Sequence, residues 1–441
     1  MTRLLSQTNR YLFYLFIVFM VIPIVDVPYI GLSITAPIVF LIALDLFFGG
    51  RIKIKLNNYT WWLILSYLIL FGFFGTLAFN DFYWATSDPY ITTEDIIWYI
   101  RHVYWVILFI ITVIIISTDD EVYLYTPLIL GLSIIGLGFM RVGEGILFDT
   151  LGSRAPAIFS QNGYGILFST FAPFALGLFF YVKRRWYPLL LIGLVVLIIA
   201  VVGNVSRGGW IGAGVGLATA LVFIIFANPR WIVPSVLAII LTSTGALISS
   251  ELLPEDVLIG VTERVETFQS LEDDKEWQIR LLLVQKAFTI FEESPIYGAG
   301  LGRFRDTSVD LDIPFILTYA DDDYFNRKGA HNAYAVVLAE TGLLGTTPYV
   351  LLIGSLCLLA IPTILEAMRH QDYEFLFAFA SFVGLSVHLY AISGLSSTSP
   401  WFIYGYIVAI IQRYYFRKTA LTNKPNNIKI AYSLDRLRPS S

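Results

Sequence analysis

Charge is scarce in this chain. Only 14% of its 441 residues are Asp, Glu, Lys or Arg, against about 25% in an ordinary soluble domain. Hydrophobic residues make up 57%, and the mean hydropathy is +0.71. This balance excludes an ordinary soluble domain and implies an integral membrane protein. Cysteine is almost lacking. Cys357 stands alone inside an apolar run, so an intrachain disulfide and a cysteine-built metal site are both excluded. Arg3 and Arg10 precede an apolar stretch from Tyr11, as in a signal peptide. No small-residue cleavage site follows and further spans come at once, so the stretch reads as an uncleaved first span. No internal repeat is visible either, which withholds support from a transporter built on inverted repeats. The net charge of −4 says little about partners, because the charges are segregated by side of the membrane.

What is present is a series of apolar runs. A spanning helix needs about 20 mostly apolar residues. That rule predicts an all-α integral membrane protein of about twelve spans, near 11–25, 29–48, 60–79, 96–117, 122–140, 161–182, 187–204, 209–227, 231–250, 335–364, 374–394 and 400–416. The chain reads as one polytopic domain over 1–441, with a long outer segment at 251–330 between the ninth and tenth spans and a polar tail at 417–441. The short loops "RIKIK" (51–55) and "KRRW" (183–186) and the tail are basic, so the positive-inside rule puts both termini in the cytoplasm. Of the 29 Lys and Arg residues, 17 then fall inside, eleven outside and one, Arg101, within a span. Eight of the eleven lie in the long outer segment, which the rule does not count; the short outer loops keep Arg141, Arg154 and Arg207.

Arg207 is the residue that most needs explaining. "VVGNVSRGGWIGAGVG" (201–216) joins two runs each long enough to cross a bilayer, with almost no loop between them. Gly208 and Gly209 open the second run. Their small size permits close approach by a ligand, and a helix N-terminus beside a cation is an anion site. A snorkelling arginine that anchors a span end is the plainer reading. Gly212 and Gly216, farther along, read as helix-packing residues.

In "GAHNAYAVVLAETGLLG" (329–345), His331 stands where the outer segment re-enters the membrane and Asn332 can cap the helix that follows. A helix N-terminus disfavours imidazolium, so a neutral ring there can act as a general base. A bland surface histidine is the competing reading. Glu340 falls about 13 Å along the same helix, too far to orient the imidazole, and reads as a buried structural partner. Arg101 and His102 raise the same expectation of a buried partner, and His388 reads as a helix–helix hydrogen-bonding residue. The acidic clusters at Asp321 and Glu272 suit metal binding but read more simply as solvated loop. "QIRLLLVQKAFTIFEESP" (278–295) predicts an amphipathic helix stopped by Pro295, and "PIYGAGLGRF" a glycine-rich turn with no preceding strand to make it a nucleotide fingerprint.

Three elements stand in one order: "SRGGW" between two spans, "QIRLLLVQKAFTIFEESPIYGAGLGRF" in the long outer segment, and "HNAYAVVLAETGLLG" opening the next span. In these, over about Val201 to Gly345, and in its topology the chain resembles the superfamily of O-antigen ligases and O-antigen polymerases, bacterial membrane glycosyltransferases. A weaker likeness continues upstream in "GSRAPAIFSQNGYG" (152–165). The resemblance implies a GT-C-like helical fold, no cofactor and no metal. It implies transfer of a glycan from undecaprenyl diphosphate to an acceptor hydroxyl at the outer face of the inner membrane, with inversion. Ligases use lipid A–core as acceptor, and polymerases another lipid-linked repeat unit. Carried over by motif, Arg207, Arg280 and His331 are the catalytic positions, and Arg264, Arg154, Asn332 and Tyr334 secondary ones.

The chemistry of the residues agrees with this. A lipid diphosphate grows more anionic as it leaves, and two guanidinium groups can clamp it. Glycine N–H groups after Arg207 add fixed dipoles, and the outer segment can close as a lid. The lipid bilayer holds the donor's tail, and nucleic acid has no place in the scheme. A flippase or other transporter would put its charges near the midplane. A metal-dependent GT-C enzyme would use Asp26 or the 81–95 loop. A protein O-oligosaccharyltransferase of the same superfamily remains a third alternative.

Overall fold

The computed structural model describes residues 7–22, 35–48, 93–148, 160–233, 236, 240, 255–266, 274–300, 302–317, 322–392 and 397–423. Its regular elements are all helical: α1 (Gln7–Val21), α2 (Thr35–Phe48), α3 (Thr93–Thr118), α4 (Asp120–Phe148), α5 (Gln161–Gly177), α6 (Tyr187–Gly203), α7 (Arg207–Ala227), α8 (Glu255–Glu266), α9 (Lys275–Glu293), α10 (Asp322–Asn326), α11 (Ala333–His370), α12 (Tyr373–Leu389) and α13 (Thr398–Asn423). Among the described residues, five helices are long and apolar enough to cross a membrane: Asp120–Leu147, Gln161–Phe180, Arg184–Gly203, Arg207–Ala227 and Ala333–His370. Thr35–Leu46, Val103–Thr118 and Tyr373–Leu389 are shorter apolar helices. The chain is a multi-pass membrane protein. The expected spans at 60–79 and, beyond its first residues, 231–250 lie outside the described residues, as do the "RIKIK" loop and the polar tail beyond Asn423.

Apolar side chains cover the outside as well as the inside. Leu189, Ile192, Phe226, Val350, Leu351 and Leu358 are exposed on long helices, as they must be against lipid, where backbone groups are satisfied within the helix. The closest packing joins α5, α7 and α12. A Cβ on Gly212 would stand 2.7 Å from the Ser169 Cβ and 2.9 Å from the Gly384 carbonyl oxygen; one on Gly384 would stand 2.5 Å from the Ser169 oxygen. Gly216 faces Pro173 and Gly384. These backbones touch because only glycine lets them, the role read for Gly212 and Gly216 in the sequence.

Polar side chains gather at the two ends of the bundle. At the far end, Arg10 of α1 pairs with Asp119 at 2.9 Å and with Glu121, Arg413 of α13 pairs with Asp120, and Tyr123 and Tyr414 both donate to Asp372. At the other end, the site end, Tyr164 donates to Glu144 at 2.5 Å, the Asn204 amide to the Gln161 carbonyl at 2.8 Å, and Tyr334 to the Ser386 carbonyl at 2.8 Å. The start of α1 and the end of α13 thus share the far end, and the joint between α6 and α7 belongs to the site end.

The described part of the long segment is folded at the site end. Leu282, Leu283, Ala287 and Ile290 of α9 pack with Phe304, Val309, Leu311, Leu317 and Phe325 and with Ala335 and Ala339 of α11. The buried Lys286 ammonium donates to the Asn326 carbonyl at 2.5 Å and lies 4.7 Å from the Phe304 ring centre. Burial lowers its pKa to about 8.

The membrane helix α11 is broken at Gly342, where φ is 56° and ψ −157°. The segment after α9 fills the break. Ala299 and Gly300 donate to the carbonyls of Ala339 and Glu340 at 2.9 and 3.0 Å, and Leu343 and Leu344 donate to the carbonyls of Pro295 and Ile296 at 2.9 and 3.1 Å. Four groups beside the break therefore find backbone partners, as irregular chain at membrane depth requires. The "PIYGAG" and "ETGLLG" motifs, about 40 residues apart, are two halves of one clasp.

Candidate functional site

The tight corner is built by a cap. Ser206 has extended backbone angles and its hydroxyl accepts from the Gly209 N–H at 3.3 Å, so α7 starts at Arg207 without a loop. Just before it, Val205 has φ 53°, a conformation costing on the order of 1–3 kcal/mol for a β-branched residue. The corner changes the expected part of the two glycines. The Gly209 N–H is taken by the cap, and a Cβ on Gly209 would stand 2.9 Å from the Gly165 Cα. A Cβ on Gly208 would meet the Ala391 Cβ at 2.5 Å and the His388 Nδ1 at 3.3 Å. Both glycines are small because helices cross there, with the wholly buried His388 among them. The backbones of Gly208 and Asn162 lie near the His388 ring, but neither ring nitrogen makes a well-formed hydrogen bond, so the ring sits at the expected helix crossing without the expected bond.

Arg207 is buried, and its guanidinium is engaged. Nη1 pairs with the Asp274 Oδ2 and Nη2 lies 3.5 Å from the Glu276 Oε2. Both carboxylates belong to the start of α9. Asp274 is its N-cap: the other oxygen, Oδ1, accepts from the Glu276 N–H at 2.9 Å. Arg280 lies six residues on, in the same helix. The sequence linked Arg207 and Arg280 only through a shared anion; in the fold one carboxylate joins the helices that carry them.

His331 is half-buried with φ 47°, one residue before the Asn332 cap. The Asn332 side chain accepts from the Tyr334 and Ala335 N–H groups, each at 3.1 Å. Burial lowers the His331 pKa, and the charges of Arg280, Arg305 and Lys328 lower it further, while Glu276 pulls the other way. The neutral ring is thus favoured; the cations that act on it are Arg280, Arg305 and Lys328 rather than Arg207. The Arg305 guanidinium lies over Gly329, with Nη2 3.1 Å from where a Cβ would be, and the Lys328 ammonium is 4.4 Å from the Tyr324 ring centre.

Glu340 is buried and accepts from the Phe304 N–H at 3.2 Å, tying α11 to the turn that follows the clasp. That is the structural part read for it. Tyr334 is anchored through its hydroxyl to Ser386. Arg101 lies half-buried within α3. Arg264 falls on α8, but its side chain, like the whole of Arg154, lies outside the described residues, as do the side chains of His102, Glu272 and Asp321. Among the described residues, no three His, Cys, Asp or Glu side chains are grouped to hold a metal ion.

Sequence reasoning missed Ser206, Arg305 and Lys328, and it read Asp274 and Glu276, the end of the acidic cluster at Glu272, as solvated loop; the Asp274 side chain is instead buried as the cap of α9, and Glu276 lies in that helix's first turn. Ser206 and Asp274 each had a local signal, a capping residue just before a helix. The pairing of Asp274 with Arg207 had none.

Residues 192–350 match the family model described as O-antigen ligase (Wzy_C), and that stretch is a domain of this family. Its enzymes are membrane glycosyltransferases of ligase or polymerase type that act on lipid-linked glycans. The match takes in Arg207, Arg264, Arg280, His331, Asn332, Tyr334, Glu340 and both halves of the clasp; Arg101 and Arg154 lie before it. No curated protein matches the chain.

Proposed function

We propose that this chain, which carries an O-antigen ligase domain, transfers a glycan from undecaprenyl diphosphate to a hydroxyl of an acceptor glycan, with inversion at the anomeric carbon. The observation that carries the reading is the meeting at the site end of a neutral-favoured His331, the Arg280 charge that acts on its ring, and the Arg207 corner tied to the same helix. Arg207 and Arg280 clamp the diphosphate, whose charge rises as the glycosidic bond breaks. His331 takes the proton of the attacking hydroxyl. A protonated ring would have no lone pair for that task, and burial among three cations opposes protonation. Asn332 and Tyr334 hold the turn that presents the ring. Arg264, Arg154 and the Gly208 N–H are secondary binding positions.

In this reading the site end faces the periplasm, residues 251–330 cover the sugars, and both termini and the 417–441 tail are cytoplasmic, in a bacterial inner membrane. The basic "KRRW" turn opposite the site supports that orientation. Lipid A–core is the acceptor of a ligase, and a second lipid-linked repeat unit that of a polymerase. We favour the ligase. The test is glycan profiling of a deletion strain: unlinked polymer held on lipid carrier supports it, and single repeat units make the chain a polymerase.

A further inference from the structure

We propose that Asp274 and Glu276, neighbours at the start of α9, act on the donor site in opposite senses. Asp274 is a positioning residue that keeps its bond to Arg207 during turnover, and Glu276 holds a place on Arg207 that the donor's diphosphate takes. This inference rests on the donor reading of Arg207 given above.

The Asp274 carboxylate has two occupations, one per oxygen. Oδ1 caps α9 through the Glu276 N–H and Oδ2 pairs with the Arg207 Nη1. Both side chains of that pair are more than nine-tenths buried. Removing a partner from a buried pair strands a charge, so this bond resists exchange. Through it the cap of α9 is tied to the first residue of α7, and with it the helix that carries Arg280.

Glu276 differs in distance and in exposure. Its Oε2 stands 3.5 Å from the Arg207 Nη2, and its side chain is 34% exposed. A pair of this kind is weak and easily exchanged. An arginine has five N–H donors in a planar fork. Arg207 can therefore keep Nη1 on Asp274 and turn its Nη2 edge to a phosphate when Glu276 leaves. A diphosphate carries more charge than one carboxylate, so the exchange favours the donor. The Glu276 charge also acts on His331, against those of Arg280, Arg305 and Lys328. The carboxylate thus bears electrostatically on both clamp and base, and a donor arriving on Arg207 displaces it from Arg207.

The experiment measures binding of inorganic diphosphate to the purified full-length chain in lipid nanodiscs at low salt. Three variants are compared with the unchanged protein: Asp274→Asn, Glu276→Gln and Arg207→Ala. Asn is as good an N-cap as Asp, so Asp274→Asn keeps the helix start and removes only the charge facing Arg207. The expected signs are opposite. Glu276→Gln binds diphosphate about two- to fivefold tighter, the worth of a half-exposed ion pair, and Asp274→Asn binds it more weakly. Plain removal of negative charge would tighten both, and a merely structural role would tighten neither; either result overturns the proposal. Should Asp274→Asn fail to fold, the sign for Glu276→Gln decides alone. If the unchanged protein and Arg207→Ala bind diphosphate equally, the donor reading of Arg207 itself fails, and the exchange with it. If only Arg207→Ala loses binding while Glu276→Gln is unchanged, the donor reading stands and the exchange is wrong.

Discussion

A Cβ on Gly342 would stand 2.7 Å from the Gly298 nitrogen, and one on Gly298 would stand 2.4 Å from the Glu340 carbonyl carbon. Both glycines have positive φ, 56° and 72°. Alanine at either position meets backbone that cannot swing aside and carries a strained φ of its own, costing about 1–3 kcal/mol before any clash. Gly298→Ala and Gly342→Ala should each lower the melting temperature of the purified protein. Gly354→Ala, on the same helix with open space at its Cβ, should not. Equal melting temperatures for all three would mean that the clasp does not hold the helix break.

The two arginines should matter through shape as well as charge. Arg207→Lys and Arg280→Lys should each lose about tenfold to a hundredfold in transfer, the range of a charge-assisted hydrogen bond, because an ammonium cannot grip two oxygens in one plane. Arg207→Ala and Arg280→Ala should abolish transfer in protein that still inserts. Full activity in both lysine variants would reduce them to surface charges.

Removing His331 should cost about 10²–10⁴ in single-turnover rate with little change in donor binding, since the proposed function gives the diphosphate to the arginines. His331→Gln should be nearly as poor, because an amide cannot take a proton. A His331→Gln protein with the original rate would send the search for a base elsewhere.

The pH profile follows from the neighbours of that ring. As the proposed base His331 can work only when neutral, and its pKa is pushed below the usual 6.5. The rate should therefore hold as pH falls to 6.5 and decline only below it. Arg305→Gln removes a cation that lowers this pKa, so the decline should begin at higher pH. A profile that stays in place, or shifts to lower pH, would separate the limb from His331.

Two arginines can neutralise a departing diphosphate without a metal ion. Transfer by purified protein from a lipid-linked donor should survive EDTA. Loss on chelation with recovery on added manganese or magnesium would favour a metal-dependent mechanism instead.

Much of this was legible beforehand, and what was hidden has a common cause. The amphipathic helix ending at Pro295, the Asn332 cap and the packing glycines Gly212 and Gly216 are written in local spacing, which a single stretch of chain carries. The break in α11 was not foreseen, because "ETGLLG" inside an apolar run looks like continuous helix; its partner lies about 40 residues upstream. The engagement of Arg207 by Asp274 spans 67 residues and leaves no periodic trace. Arg305 and Lys328 were visible only as charges in a polar segment. Their bearing on His331 depends on how that segment folds back over its own core.

The clasp at Gly342 also decides what His331 can feel. An unbroken helix would be a rigid rod, and any tilt forced on it by a thicker or thinner bilayer would swing the imidazole in proportion. Here only the nine residues of Ala333–Thr341 lead from the ring to the joint, and their direction is set by Pro295–Gly300 rather than by the longer rod below. Such a joint would uncouple the end that carries His331 from the mechanics of the membrane. Lipid thickness should therefore act first on how firmly this protein stays folded, and only later on how fast it works.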